Sequence, residues 1–283
     1  PWEIEDLILP EHLANTEETR RLYREYLAEI RLFDEQVAKA QNSLDKLGLD
    51  NNTTLIVLDE NGAGMPGGKW SVYDWGVRSA CIMKWPESYK ANFETDALAQ
   101  YCDIVPTLIE AAGGVVPDAI DGKSLLPLIK GETKTHRDKA YFVYNSRDDR
   151  KIDPHLSERA VTDGRYKLIW NMTPGNLKGV ESINGFDFGH KKREVYPQIL
   201  YRSWVEQENP NEHTKQMIQR FMYHPEYQLF DLDNDPNEMY NLADNSEYVA
   251  KVEEMTSAIK DWMKQQGDDG HLLRNFYVAK NVR

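Results

Sequence analysis

Thr53-Thr54-Leu55-Ile56-Val57-Leu58-Asp59-Glu60-Asn61-Gly62 decides how the rest of the chain is read. Six β-branched or apolar residues predict a strand buried on both faces, as in a parallel sheet. Acid, acid, amide and glycine follow at once, where open α/β sheets place their ligand-binding residues. A carboxylate beside an amide carbonyl supplies oxygen ligands for a hard cation such as calcium or magnesium. Gly62, Gly64, Gly67 and Gly68 permit sharp turns and close backbone approach. Lys69 brings a cation to the same corner, where it can meet an anionic oxygen. The same composition also describes an ordinary Asx-rich turn with Lys69 in water, and both readings fit the spacing.

Outward from this corner, Leu22, Tyr26, Ile30, Phe33, Val37, Ala40, Leu44 and Leu47 recur at helical spacing before Gly48. They predict a long amphipathic helix started by Asn15 and Glu18. A second buried strand is expected over 78–83. A helix over about 97–112 should stop at Gly113 and be kinked or broken at Pro106. Strand, helix, strand, helix argues for an α/β sheet covered on both faces. After about residue 135 the texture changes to short strands at 140–144, 158–162, 166–170 and 227–232. Asp163-Gly164 is a hairpin turn signal, and a helix over 247–265 carries Val249, Val252, Met255, Ile259 and Trp262 on one face. That pattern indicates a small α+β subdomain.

The motifs together resemble the later part of a formylglycine-dependent sulfatase with an alkaline-phosphatase-like fold. Asp59-Glu60-Asn61-Gly62 is similar to the family's strand ending in Asp-Asn-Gly or Asp-His-Gly. Gly68-Lys69-Trp70, Tyr73-Asp74-Trp75-Gly76-Val77-Arg78, Met83-Lys84-Trp85-Pro86 and Asp103-Ile104-Val105-Pro106-Thr107-Leu108 follow in the family's order. Asp121-Gly122-Lys123-Ser124-Leu125, Arg165-Tyr166-Lys167-Leu168-Ile169 and Tyr227-Gln228-Leu229-Phe230-Asp231-Leu232 complete the series, with Asp235-Pro236-Asn237-Glu238 behind them.

The resemblance implies an α/β fold in which residues 1–135 are the C-terminal part of the catalytic domain. Residues 136–283 would be the α+β subdomain, with an antiparallel sheet and an insertion at about 174–223. It implies Glu60 and Asn61 as metal ligands, for calcium or alternatively magnesium, with Asp59 a rival if the register slips by one. Glu60 stands where the family usually has Asp. Lys69 matches the lysine that contacts sulfate, a catalytic and substrate-binding role, and Trp70 would shape the pocket wall. The substrate would be a sulfated glycan or small aryl sulfate, and an exported location is suggested.

The formylglycine precursor motif, Cys or Ser-x-Pro-x-Arg, is absent from the sequence. Cys81 precedes Ile82-Met83-Lys84, and Cys102 precedes Asp103-Ile104-Val105-Pro106. Formylglycine is therefore expected in a missing N-terminal part, and this chain alone is expected to be inactive. The missing half, or another chain, should cover an otherwise exposed sheet. Two other readings stay open: a phosphoryl-transfer relative of the same superfold, and a noncatalytic remnant.

Composition narrows the partners. With 47 acidic against 34 basic residues, the net charge of −13 disfavours nucleic acid and anionic membranes. No apolar run approaches the roughly 20 residues that cross a bilayer. Two cysteines indicate no disulfide framework and are expected to be small buried hydrophobes. Asn52 and Asn171 head formal glycosylation sequons. The insertion holds Phe186, Phe188, Tyr196, Tyr201, Trp204, Phe221 and Tyr223 beside His190, Lys191, Lys192 and Arg193. Those aromatics either bind a sulfated sugar or pack the insertion onto the subdomain. His224-Pro225 is expected to be a turn rather than a ligand.

Overall fold

A computed structural model describes residues 3–86, 92–145, 156–175, 186–187, 192–193 and 196–270. Helix α1 (Glu17–Lys46) begins one residue later than the Asn15 cap would place it. Thr16 is the cap, its hydroxyl accepting from the Thr19 amide at 3.0 Å, while Asn15 accepts from Arg20 Nε at 2.7 Å. Glu17 and Glu18 then sit in the first turn, where acids favour the helix dipole. The apolar stripe of α1 is covered only near its start. Leu22 is buried, whereas Ile30, Phe33 and Leu47 are exposed.

Strand β1 (Leu55–Leu58) pairs antiparallel with β2 (Cys81–Lys84), Leu55 opposite Lys84 and Leu58 opposite Cys81. This corrects the expected parallel, doubly buried strand: β1 is only partly buried along its length. An apolar run reports that a strand seeks cover, but the direction of its neighbour is decided by the connection between them. Here that connection is the corner itself, with the short helix α2 (Asp74–Val77) inside it. The cysteines are also corrected. Both are exposed free thiols, Cys81 opening β2 and Cys102 lying in the turn before α3.

The helix expected over 97–112 is instead a 3-10 turn (Tyr101–Asp103) followed by α3 (Ile104–Ala111). Pro106 does not kink it, because it falls in the first turn of α3, where its missing N–H breaks no bond. Gly113, at φ +77°, ends the helix as expected. The short helix α4 (Leu126–Ile129) follows.

Four strands form an antiparallel sheet in the order β3 (Ala140–Asn145), β4 (Ser157–Thr162), β5 (Tyr166–Asn171), β8 (Tyr227–Asp231). At the β4–β5 hairpin, Gly164 takes φ +100° and Asp163 Oδ1 accepts the amides of Arg165 and Tyr166. Between β5 and β8 come a short antiparallel pair, β6 (Phe186–Asp187) and β7 (Lys192–Arg193), then helices α5 (Tyr196–Val205) and α6 (Glu212–Met222). The last helix, α7 (Val249–Gln266), covers one face of the four-stranded sheet. Its Met255 and Ile259 pack on Val161, Leu168 and Leu229. Each such fully buried aliphatic side chain contributes about 1.5–3 kcal/mol.

The other face of that sheet meets the corner loop, where Val72 and Tyr73 pack on Ala160, Ile169 and Phe230. A third cluster joins Leu22 of α1, Ala63 and Met65 of the corner, and Leu200, Tyr201, Trp204 and Met217 of α5 and α6. Trp204 Nε1 donates to Thr19 Oγ1 at 2.9 Å. Tyr201, Trp204 and Phe221 therefore pack, but onto α1 and the corner rather than onto the sheet, while Tyr223 is exposed. Phe188, His190 and Lys191 lie outside the described residues, as do the side chains of Phe186, Lys192, Arg193 and Tyr196.

Candidate functional site

The corner owes its shape to backbone contacts that only glycine permits. A Cβ on Gly62 would stand 1.6 Å from the Trp75 carbonyl oxygen, and one on Gly68 would stand 2.1 Å from that of Ala63. The loop folds back on itself: Lys69 N donates to Ala63 O at 2.7 Å, and Ser71 Oγ donates to the carbonyls of Gly67 and Gly68. Gly62 N donates to Gly76 O at 3.0 Å, holding the turn against α2. Trp70 takes φ +68° to complete it, a conformation that costs a non-glycine residue on the order of 1 kcal/mol.

This turn brings Lys69 Nζ within 3.3 Å of Glu60 Oε2, in an ion pair open to solvent at the Glu60 end. Asn61 Nδ2 donates to Gly62 O at 2.8 Å, which fixes the amide. Trp70 is 39% exposed. Asp59 and Asn61 line a cavity of about 280 Å³ beneath the corner, together with His12, Tyr26, Tyr73, Trp75, Arg220 and Phe221. Glu60, Lys69 and Trp70 stand outside that lining. The sequence-predicted residues are thus divided between an outer face and an inner cavity, with Asn61 at the boundary. Among the described residues, no three His, Cys, Asp or Glu side chains cluster as a metal site. No described helix is long and apolar enough to cross a membrane.

The wall of the cavity, at Tyr73, Asp74 and Glu238, belongs to a buried charge network that sequence reasoning missed. Lys167 Nζ contacts Asp74 Oδ1 at 2.9 Å and Glu238 Oε1 at 3.3 Å, and the Asp74 amide donates to Glu238 Oε2 at 2.7 Å. Burial raises the Glu238 carboxyl pKa, opposed by the charge of Lys167. Tyr73 OH bonds Gln228 at 2.6 Å, and burial pushes its hydroxyl up to about 12. The available signal was Lys167 itself, a charge sharing a strand face with Ile169 and Asn171, both buried. His12 is held down at about 4 by burial and then by the charge of Arg220, against a bond from Asn237. His224 is buried, with its Nδ1 paired to Glu158 Oε1. Asn171 is also buried, its amide donating to His224 O, so its sequon is inaccessible.

The alternating helices and strands, closed by an antiparallel sheet, form an alkaline-phosphatase-like α/β fold. Residues 9–115 match the family described as Sulfatase, and residues 68–180 match that described as N-sulphoglucosamine sulphohydrolase, C-terminal. The chain belongs to the sulfatase family and corresponds to its C-terminal region. An ulvan-active sulfatase of Formosa agariphila is 31% identical over 228 residues, 78% of this chain and 39% of that protein. An N-acetylglucosamine-6-O-sulfatase of Bacteroides thetaiotaomicron is 24% identical over 87% of this chain and 36% of that protein. A protein solved in complex with its substrate D-glucosamine-2-N,6-O-disulfate superposes with a TM-score of 0.61 at 24% identity, over 87% of this chain and 41% of that one. The chain spans about two fifths of the length of these relatives.

Proposed function

We propose that this chain contributes one side of the active site of a sulfuric ester hydrolase acting on sulfated carbohydrate. The observation that carries this reading is the Lys69–Glu60 pair at 3.3 Å, held by a turn that admits no side chain at Gly62 or Gly68. Glu60 and Asn61 would hold calcium, with magnesium the alternative. The donor types fit: the Asn61 amide nitrogen is committed to Gly62 O, which leaves its Oδ1 as a hard oxygen, and Glu60 adds a carboxylate. Two ligands are a minority of the roughly 6–8 that calcium takes, so the remainder would come from outside this chain. When bound, the ion would polarise the sulfate ester as a Lewis acid.

Lys69 would neutralise the sulfate and the charge developing on the leaving oxygen, which a preorganised cation does without reorganising water. Glu60 aims Lys69 until the anion arrives. Trp70, fixed by its left-handed backbone, would wall the mouth. The formylglycine nucleophile would come from a segment outside these 283 residues, and that segment would also cover the exposed apolar residues of α1 and β2. The names of the relatives, which act on ulvan and on sulfated N-acetylglucosamine, support a glycan substrate.

The test is sulfate release from O-sulfated N-acetylglucosamine by the full product of the reading frame, whose native mass is measured at the same time. Loss of roughly 10²–10³ in kcat on Lys69→Ala is expected for removal of one such electrostatic contact. Unchanged kcat in that variant would overturn the assignment.

A further inference from the structure

The cavity beneath the corner holds a cation that the chemistry above does not use. Lys167 is matched by Asp74 and Glu238, and Arg78 reaches Asp74 at 3.8 Å. Arg220, from α6, has no carboxylate within 4.0 Å among the described residues. Its guanidinium is held by the Asn237 carbonyl, 3.3 Å from both terminal nitrogens, and lies 4.6 Å over the Tyr73 ring. A carbonyl dipole and an aromatic face orient a guanidinium without cancelling its charge. Buried His12 feels that charge.

The lining carries Asp59, Asp74 and Glu238 against Arg78 and Arg220, so any affinity for an anion rests on Arg220 itself, the lining cation without a carboxylate within 4.0 Å among the described residues. The planar fork of arginine matches the oxygens of a carboxylate or sulfate. Phe221 and Tyr26 supply apolar faces against which a sugar ring can lie. A volume of about 280 Å³ is that of a small-ligand pocket, enough for one ring with its substituents.

We propose that this cavity is a second anion subsite, in which Arg220 receives a carboxylate or a second sulfate carried by the sugar. This rests on the sulfate-ester reading for the neighbouring Lys69. The substrates would then be glycan units bearing two anionic groups, one hydrolysed and one recognised.

The test is an NMR titration of the purified chain, in EDTA, with glucuronate, N-sulfoglucosamine and neutral N-acetylglucosamine. At least one anionic sugar should bind about tenfold or more tighter than the neutral one, the size of one charge-assisted hydrogen bond. Binding of glucuronate alone identifies a carboxylate, and binding of N-sulfoglucosamine alone identifies a second sulfate. Arg220→Met should abolish the preference, and Arg220→Lys should retain part of it, with thermal unfolding reporting the fold of each. Equal binding of anionic and neutral sugars, or a preference that survives Arg220→Met in folded protein, overturns the proposal. If Arg220→Met does not fold, the wild-type preference and its reduction in Arg220→Lys decide. No turnover enters these measurements, so a protein that hydrolyses no sulfate ester can still confirm the subsite. Sulfate release with no anion preference would sink the subsite alone.

Discussion

Arg159 on β4 and Asp268, just beyond α7, meet as a two-bond fork with neither side chain exposed: Nε to Oδ2 at 2.5 Å and Nη2 to Oδ1 at 2.9 Å. The chain reaches this pairing by turning at Gly267, whose φ of +66° ends the helix. The fork pins the last turn of α7 to the sheet it covers. Asp268→Ala leaves a guanidinium buried without its partner, so a loss of about 3–5 kcal/mol in unfolding free energy is expected. Chemical denaturation measures it, and the double change Arg159→Met with Asp268→Leu should cost less than the single one.

Gly62→Ala is expected to disrupt the corner rather than merely crowd it. The new methyl would occupy the position of the Trp75 carbonyl oxygen, a backbone atom tied to the same turn. Overpacking of this kind costs about 1–3 kcal/mol and displaces the loop. Both the unfolding midpoint and sulfate release should fall. Gly64→Ala, where a Cβ meets nothing within 4 Å, should leave both unchanged.

Asp103 gathers the segment around α3. It accepts from the amides of Gln100 and Lys123, from His136 Nε2, and from Arg137 through two guanidinium nitrogens. Burial pushes its carboxyl up, but Arg137 and the two amides outweigh burial and hold it at about 2, below the ordinary 3.8. With the folded pKa below the unfolded one, this stabilisation is complete above about pH 4 and is lost as pH falls through about 2. Wild-type stability should decline across that window. Asp103→Asn should start several kcal/mol lower at neutral pH, as for a broken buried ion pair, and show a shallower acid decline.

Glu60 and Lys69 should matter to activity and little to stability. Their pair is solvent-exposed at Glu60, and exposed pairs contribute about 0–1 kcal/mol. Glu60→Ala and Lys69→Ala should therefore shift unfolding by no more than that. A large drop in unfolding temperature for either would make the pair structural.

Apolar surface on the first part of the chain predicts association. Ile82 on β2 is 66% exposed, and Val105 and Leu108 on α3 and Ile30 and Phe33 on α1 also face outward. Sedimentation of the purified chain should show concentration-dependent self-association, reduced by Ile82→Asp. A monomer at all concentrations would remove the inference of a covering segment.

Much of the secondary structure was legible because it is written in short-range chemistry. Asp163-Gly164 made its hairpin, since the turn needs a residue at positive φ and a side chain that caps its own backbone. The spacing of Met255 and Ile259 made α7, since one helical face must reach the sheet. Pro106 was misread because proline is disruptive inside a helix and harmless in its first turn, and the position of that turn depends on where Asp103 is anchored.

By itself the sequence determined the elements, the corner with its obligatory glycines and the family. These depend on backbone conformation and on the spacing of residues near one another in the chain. Only the tertiary structure decided that β1 runs antiparallel to β2, that Asn61 lies between an outer ion pair and an inner cavity, and that Lys167 sits between Asp74 and Glu238. It alone set Arg220 over Tyr73, with no carboxylate within 4.0 Å among the described residues. Those relationships join residues tens to more than a hundred positions apart. They are fixed by which faces exclude water together, and no local pattern in the chain encodes that choice.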